Sequence, residues 1–190
     1  MKIAYLAWGS LLWNDKNLNL KTKWEKTSFN LPLNFSRISD NGKGRLTLVV
    51  DQNGYENPVY FAIAKTNDLN IALTKLKNRE KTTKSNVGYI NLTKDSYRST
   101  LLTIEQLQKI KLFAEKNNID SVIWTDIPPN FQEIMGKPFS KNGALLYIDN
   151  KRNDKKMYNK ILEYIFLSKI YGKIKTPLSD EVIKKLVCNL

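Results

Sequence analysis

Histidine is missing altogether from this chain, and cysteine occurs once, as Cys188. The first absence removes Ser-His-Asp and Cys-His catalysis, imidazole bases and His-containing zinc sites together. The second excludes an internal disulfide and fits a reducing, cytoplasmic setting, with the thiol too close to a fraying chain end for catalysis. No apolar run is long enough to cross a bilayer, and no basic segment followed by an apolar core and a cleavage site follows Met1. Walker loops, dinucleotide fingerprints and Asp-x-Asp-x-Asp loops are absent too, so neither a cofactor nor a metal is expected. Chemistry is left to carboxylates, Tyr, Lys, Ser/Thr and backbone amides.

Acidic residues are also scarce: 18 Asp+Glu stand against 31 Lys+Arg, a formal charge of +13. Such a balance invites nucleic acid or an anionic ligand. The excess is mostly Lys, dispersed and mixed with Asn, with no arginine-rich block and no basic-aromatic alternation. A compositional drift accounts for it, which argues against nucleic acid as the partner. The length of 190 residues fits one domain, 1–190, with C-terminal helices over 157–190 packed on it.

The apolar run Lys2–Ala7 reads as a strand that enters Gly9-Ser10 with no polar linker. A glycine there either simply ends the strand or opens a turn whose amides converge on an anion. Leu31–Ser39 and Arg45–Asp51 form a hairpin around Asp40–Gly44, with Pro32 pushing the start of the first strand toward an edge. Pro58–Ala64 is a strand buried on both faces. Val87–Leu92 is a short strand or a return into the sheet, and Asp120–Asp126 is a buried strand stopped by Pro128-Pro129.

Helices are predicted over Leu69–Glu80, from Ser99-Thr100 to Asn117-Asn118, over Tyr158–Tyr171 and over Glu181–Val187 after a break at Pro177. Gly143–Ile148 is either a strand or the start of a helix. Strands first and helices inserted later argue for α+β, with a mostly antiparallel mixed sheet able to close into a small β-barrel with flanking helices.

Within the first long helix, Leu69, Leu73, Leu76 and Glu80 recur at i, i+4, i+7 and i+11, one face. A carboxylate on an apolar stripe at a helix C-terminus is disfavoured twice, by burial and by the macrodipole. Both raise its pKa toward the range of a proton shuttle. The plainer alternative is an ion pair with Arg79, Lys81 or Lys84.

Trp8-Gly9-Ser10-Leu11-Leu12-Trp13-Asn14, Leu46-Thr47-Leu48-Val49, Leu76-x-x-Arg79-Glu80 and Val122-Ile123-Trp124-Thr125 resemble, in order and spacing, the γ-glutamylcyclotransferase-like superfamily. The likeness is closest to small bacterial relatives of ChaC-type enzymes, and it reaches the Tyr164…Pro177-Leu178 stretch. The resemblance implies a small barrel whose cavity holds a glutamyl group against the turn Trp8, Gly9, Ser10, Leu11 and Leu12, with Tyr164 touching substrate and Glu80 as general acid/base. It implies release of 5-oxoproline and a free amine from a γ-glutamyl amide or peptide such as glutathione. The substrate supplies its own nucleophile, which suits a chain without histidine. Two positions depart from the family pattern: Trp8 replaces a tyrosine, and Lys77 an acidic residue. The alternative is a catalytically silent module of the same fold that binds a small molecule or a partner. For Tyr164 the alternative is an ordinary amphipathic-helix residue.

Overall fold

The computed structural model describes residues 1–40 and 44–187; Asn41, Gly42, Lys43 and Cys188 lie outside the described residues. Seven strands, β1 (Ile3–Ala7), β2 (Glu25–Ser39), β3 (Arg45–Val50), β4 (Tyr55–Ile63), β5 (Val87–Asn91), β6 (Ser96–Arg98) and β7 (Ser121–Thr125), form one sheet of order β3-β2-β4-β1-β7-β5-β6. Six α-helices among the described residues accompany it: α1 (Leu69–Glu80), α2 (Ile104–Lys116), α3 (Phe131–Met135), α4 (Lys141–Asp149), α5 (Lys155–Gly172) and α6 (Pro177–Val187).

All five residues of β1 are buried, because the strand sits mid-sheet with both faces covered. Its alternation divides them between two cores. Ala4 and Leu6 join the larger core with Ile110, Phe113, Ile161 and Val182, whereas Ile3, Tyr5 and Ala7 face Ala72 and Leu76 of α1. Helix α1 therefore covers one face, and α2, α4, α5 and α6 contribute to the other. The Tyr5 hydroxyl donates to the Ala72 carbonyl at 3.0 Å, tying α1 to the centre of the sheet.

The sheet is mixed but mostly antiparallel. β1 pairs antiparallel with β4 (Ala4↔Ile63 to Ala7↔Tyr60) and parallel with β7 (Ile3↔Ser121 to Tyr5↔Ile123). The α+β expectation stands at that level. Closure into a barrel is not what the strand order shows: β3 and β6 are edges, and the sheet is open. β2 is irregular: its pairings shift register between Lys26 and Asn30 against β4 and between Asn34 and Arg37 against β3.

Pro32 does not place β2 at an edge, since β2 lies between β3 and β4. The Pro32 carbonyl accepts the Asp51 N–H at 3.0 Å just beyond the Leu33↔Val50 pair, and the Asp51 carbonyl on that side accepts Gly54 N at 2.7 Å instead, so no ladder acceptor is left waiting for the missing N–H. Helix α2 starts at Ile104, not at Ser99-Thr100. Thr103 and Gln106 form its capping box, while Ser99 and Thr100 donate to the buried Asp126 carboxylate. Gly143–Ile148 is helical, within α4, capped by the Ser140 hydroxyl. Pro177 opens α6 rather than breaking the chain ahead of it, a place where its missing donor costs nothing. Among the described residues no helix is long and apolar enough to cross a membrane.

Candidate functional site

The C-terminal ends of the parallel pair β1 and β7 open into a cavity of about 830 Å³. Its wall is drawn from the turn after β1, from β3, from the end of α1 and from α5. Trp8 and Gly9–Leu12 follow β1 as a single 3-10 turn, with Gly9 at φ +70. The opening amides of such a turn have no carbonyl inside it to bond. Trp8, Ser10 and Leu11 line the cavity, as do Glu80 and Tyr164. Gly9 and Leu12 are not among the lining residues. Gly9 is covered by Tyr164, whose hydroxyl would lie 2.6 Å from a Cβ at that position, and Leu12 packs against the α1-side core.

Trp8, Ser10, Leu11, Glu80 and Tyr164 are thus brought together at one cavity, with Gly9 beneath Tyr164 and Leu12 turned away from it. Asp68 caps α1 by accepting from Ile71 N at 3.0 Å, and Lys81 ends it in a left-handed conformation with φ 50. That sets Glu80 as the last helical residue, at the cavity wall. Arg79 then links helix to turn. Its guanidinium donates to Glu80 Oε1 at 3.1 Å, to Ser10 Oγ at 3.2 Å and to the Asn14 carbonyl at 2.6 Å. The Arg79 pair foreseen as the plainer role of Glu80 exists, and it holds the carboxylate at the cavity instead of drawing it away.

Glu80 keeps 18% of its side chain exposed. Burial pushes its pKa above the ordinary carboxyl range, opposed by the nearby charges of Arg79 and Arg45. Desolvation outweighs that attraction, so the net direction is upward.

Tyr164 is buried on α5, and its hydroxyl accepts the Leu48 N–H at 3.3 Å. Trp13 packs edge-on against its ring at 5.6 Å and Phe35 at 6.2 Å, while the Arg45 guanidinium lies over the ring 4.4 Å from its centroid. Burial raises its pKa, with Arg45 and the Leu48 amide pulling the other way. An amphipathic-helix reading of Tyr164 describes how it is buried but not these polar contacts.

No family model, curated protein or solved structure matches this chain. The site must therefore be judged on its own groups. Among the described residues, no three His, Cys, Asp or Glu side chains are grouped to hold a metal ion. Sequence reasoning missed Arg45, Thr125 and Lys160 at the cavity. The one available signal for Arg45 was its place two residues before Thr47, on the half-buried positions of β3 that alternate with Leu46 and Leu48.

Proposed function

We propose that this chain is a cyclotransferase acting on a γ-glutamyl amide or peptide, with Glu80 as general acid/base. The reading also takes the open seven-stranded sheet as a relative of the small barrel of the γ-glutamylcyclotransferase-like superfamily, and it places the enzyme in the cytoplasm. One observation carries it: a desolvated carboxylate lines the same cavity as the turn after β1 and the buried Tyr164. Pockets for small ligands occupy roughly 300–1,000 Å³, so a di- or tripeptide fits the space.

In the proposed reaction, Glu80 accepts a proton from the substrate's α-ammonium group. The freed amine attacks the γ-carbonyl carbon, a C–N bond closes the five-membered ring, and the original γ-amide C–N bond breaks. Glu80 returns that proton to the departing nitrogen; the attacking nitrogen sheds a second proton as it becomes the lactam N–H, and this one leaves with the free amine as its ammonium, so atoms and charge balance without a redox partner. The Gly9-Ser10 turn amides would steady the oxyanion as it forms.

Incubation with glutathione, γ-glutamyl dipeptides and γ-glutamyl amines, with 5-oxoproline read by mass spectrometry, tests the proposal. Turnover that falls by about 10²–10⁴-fold in Glu80→Gln is expected. The ion pair to Arg79, which favours the ionised form of Glu80, supports a second reading, a silent binding module of the same fold. Binding without turnover across the panel would establish that one.

A further inference from the structure

Four buried side-chain polar atoms lack a hydrogen-bond partner among the described residues, and two of them, Arg45 Nε and Thr125 Oγ1, belong to residues of this cavity. Buried donors without acceptors are uncommon, because water has been stripped away and nothing has replaced it. Two on one cavity wall point to a polar ligand. The charge of Arg45 reaches Glu80, but no ion pair joins Arg45 to a carboxylate among the described residues. Glu80 pairs with Arg79 at 3.1 Å and Asp40 with Arg37 at 3.9 Å, while Glu163 is exposed on α5. The Arg45 guanidinium lies over the Tyr164 ring, 4.4 Å from its centroid, which holds it from one side. A planar fork held in place with a free donor suits a planar, two-oxygen acceptor better than it suits water.

We propose that Arg45 is the docking point for a free carboxylate on the ligand of this cavity. The choice of ligand family rests on the γ-glutamyl reading given above. Two carboxylates could meet Arg45: the α-carboxylate of the glutamyl head, or one on the portion that departs.

Trp8 and Trp13 line the cavity, so their fluorescence reports occupancy without turnover. The intact protein is titrated with two pairs of ligands: 5-oxoproline against 5-oxoprolinamide, and γ-glutamylglycine against γ-glutamylglycinamide, the second pair in a stopped-flow mixer ahead of any reaction. At least one acid should bind about tenfold or more tightly than its neutral partner, a gap typical of a charge-assisted contact. Arg45→Gln should erase that gap, and Arg45→Lys should keep part of it. A gap in the first pair assigns the glutamyl carboxylate, and a gap in the second alone assigns the departing portion.

Equal binding of acid and amide in both pairs by the wild-type protein overturns the proposal whether or not the variants fold. So does a gap that survives loss of Arg45. Acid preference without 5-oxoproline formation refutes the catalytic reading alone, whereas turnover without acid preference refutes only this assignment.

Discussion

Gly9→Ala separates backbone strain from crowding at the cavity wall, and both parts can be sized. Gly9 has φ +70, a left-handed conformation that costs an L-residue about 1–2 kcal/mol. The added methyl would also sit 2.6 Å from the Tyr164 hydroxyl oxygen. That ring is hemmed in by Trp13, Phe35 and Arg45, so it cannot swing aside freely. Overpacking of this kind costs about 1–3 kcal/mol. Together the two effects predict a loss of roughly 2–5 kcal/mol.

For a chain of this size each kcal/mol moves Tm by about 2–4 °C, so a fall of about 10 °C is a fair central expectation. Urea unfolding of four proteins, wild type, Gly9→Ala, Tyr164→Phe and the double variant, closes the cycle. Tyr164→Phe alone should cost about 1 kcal/mol, since it strips the Leu48 N–H of its acceptor. In the double variant the crowding is gone, so its loss should be smaller than the sum of the single losses by about 1 kcal/mol or more. A strictly additive cycle, or a Gly9→Ala variant as stable as wild type, would refute this account of the wall.

Glu80→Gln should stabilise the protein in a pH-dependent way. Burial raises the folded-state pKa of Glu80, so the native state holds this proton to higher pH than the unfolded chain does. Stability is therefore lost as pH rises through the folded-state value, and the glutamine escapes that loss. The Tm difference between variant and wild type should be near zero below the ordinary carboxyl range and grow in favour of the variant above it; a difference that does not change with pH counts against the shift. Arg79→Gln should move the Glu80 titration to still higher pH, read by carbon NMR of its carboxyl group, because the lowering charge is removed; an unchanged midpoint would show the pair to be electrostatically idle. Asp126 is fully buried and accepts from Ser99, Thr100 and Trp124, so Asp126→Ala should cost about 3 kcal/mol or more in urea unfolding by orphaning those donors; a loss under about 1 kcal/mol would mean the network relaxes.

Much of the sheet was legible because local chemistry and burial agree there. Asp68 and Lys81 bracket α1 at the bounds expected from its apolar spacing, and the β2–β3 hairpin follows from its alternation. The first part of β2, Glu25–Asn30, escaped because its side chains are mostly exposed and carry no apolar signature. β6 is three polar residues at an edge, too short for any periodicity. Ser99-Thr100 looked like a helix cap because hydroxyls bond amides and carboxylates alike, and only the fold shows that Asp126 takes them. Glu80 could be picked out as a misfit on its stripe. Arg45 could not, since a cation opening a strand is commonplace and its burial depends on α5, more than a hundred residues later.

The parallel pairing of β1 with β7 sets an order on synthesis. Lys2 meets Asp120 across a separation of 118 residues, which a ribosome covers in roughly 6–24 s. For that interval the nascent chain carries its most apolar strand with one side unzipped, able to recruit a stray strand from a neighbouring polypeptide. The formal charge of +13 works against such pairing between copies, since like-charged chains repel until β7 emerges.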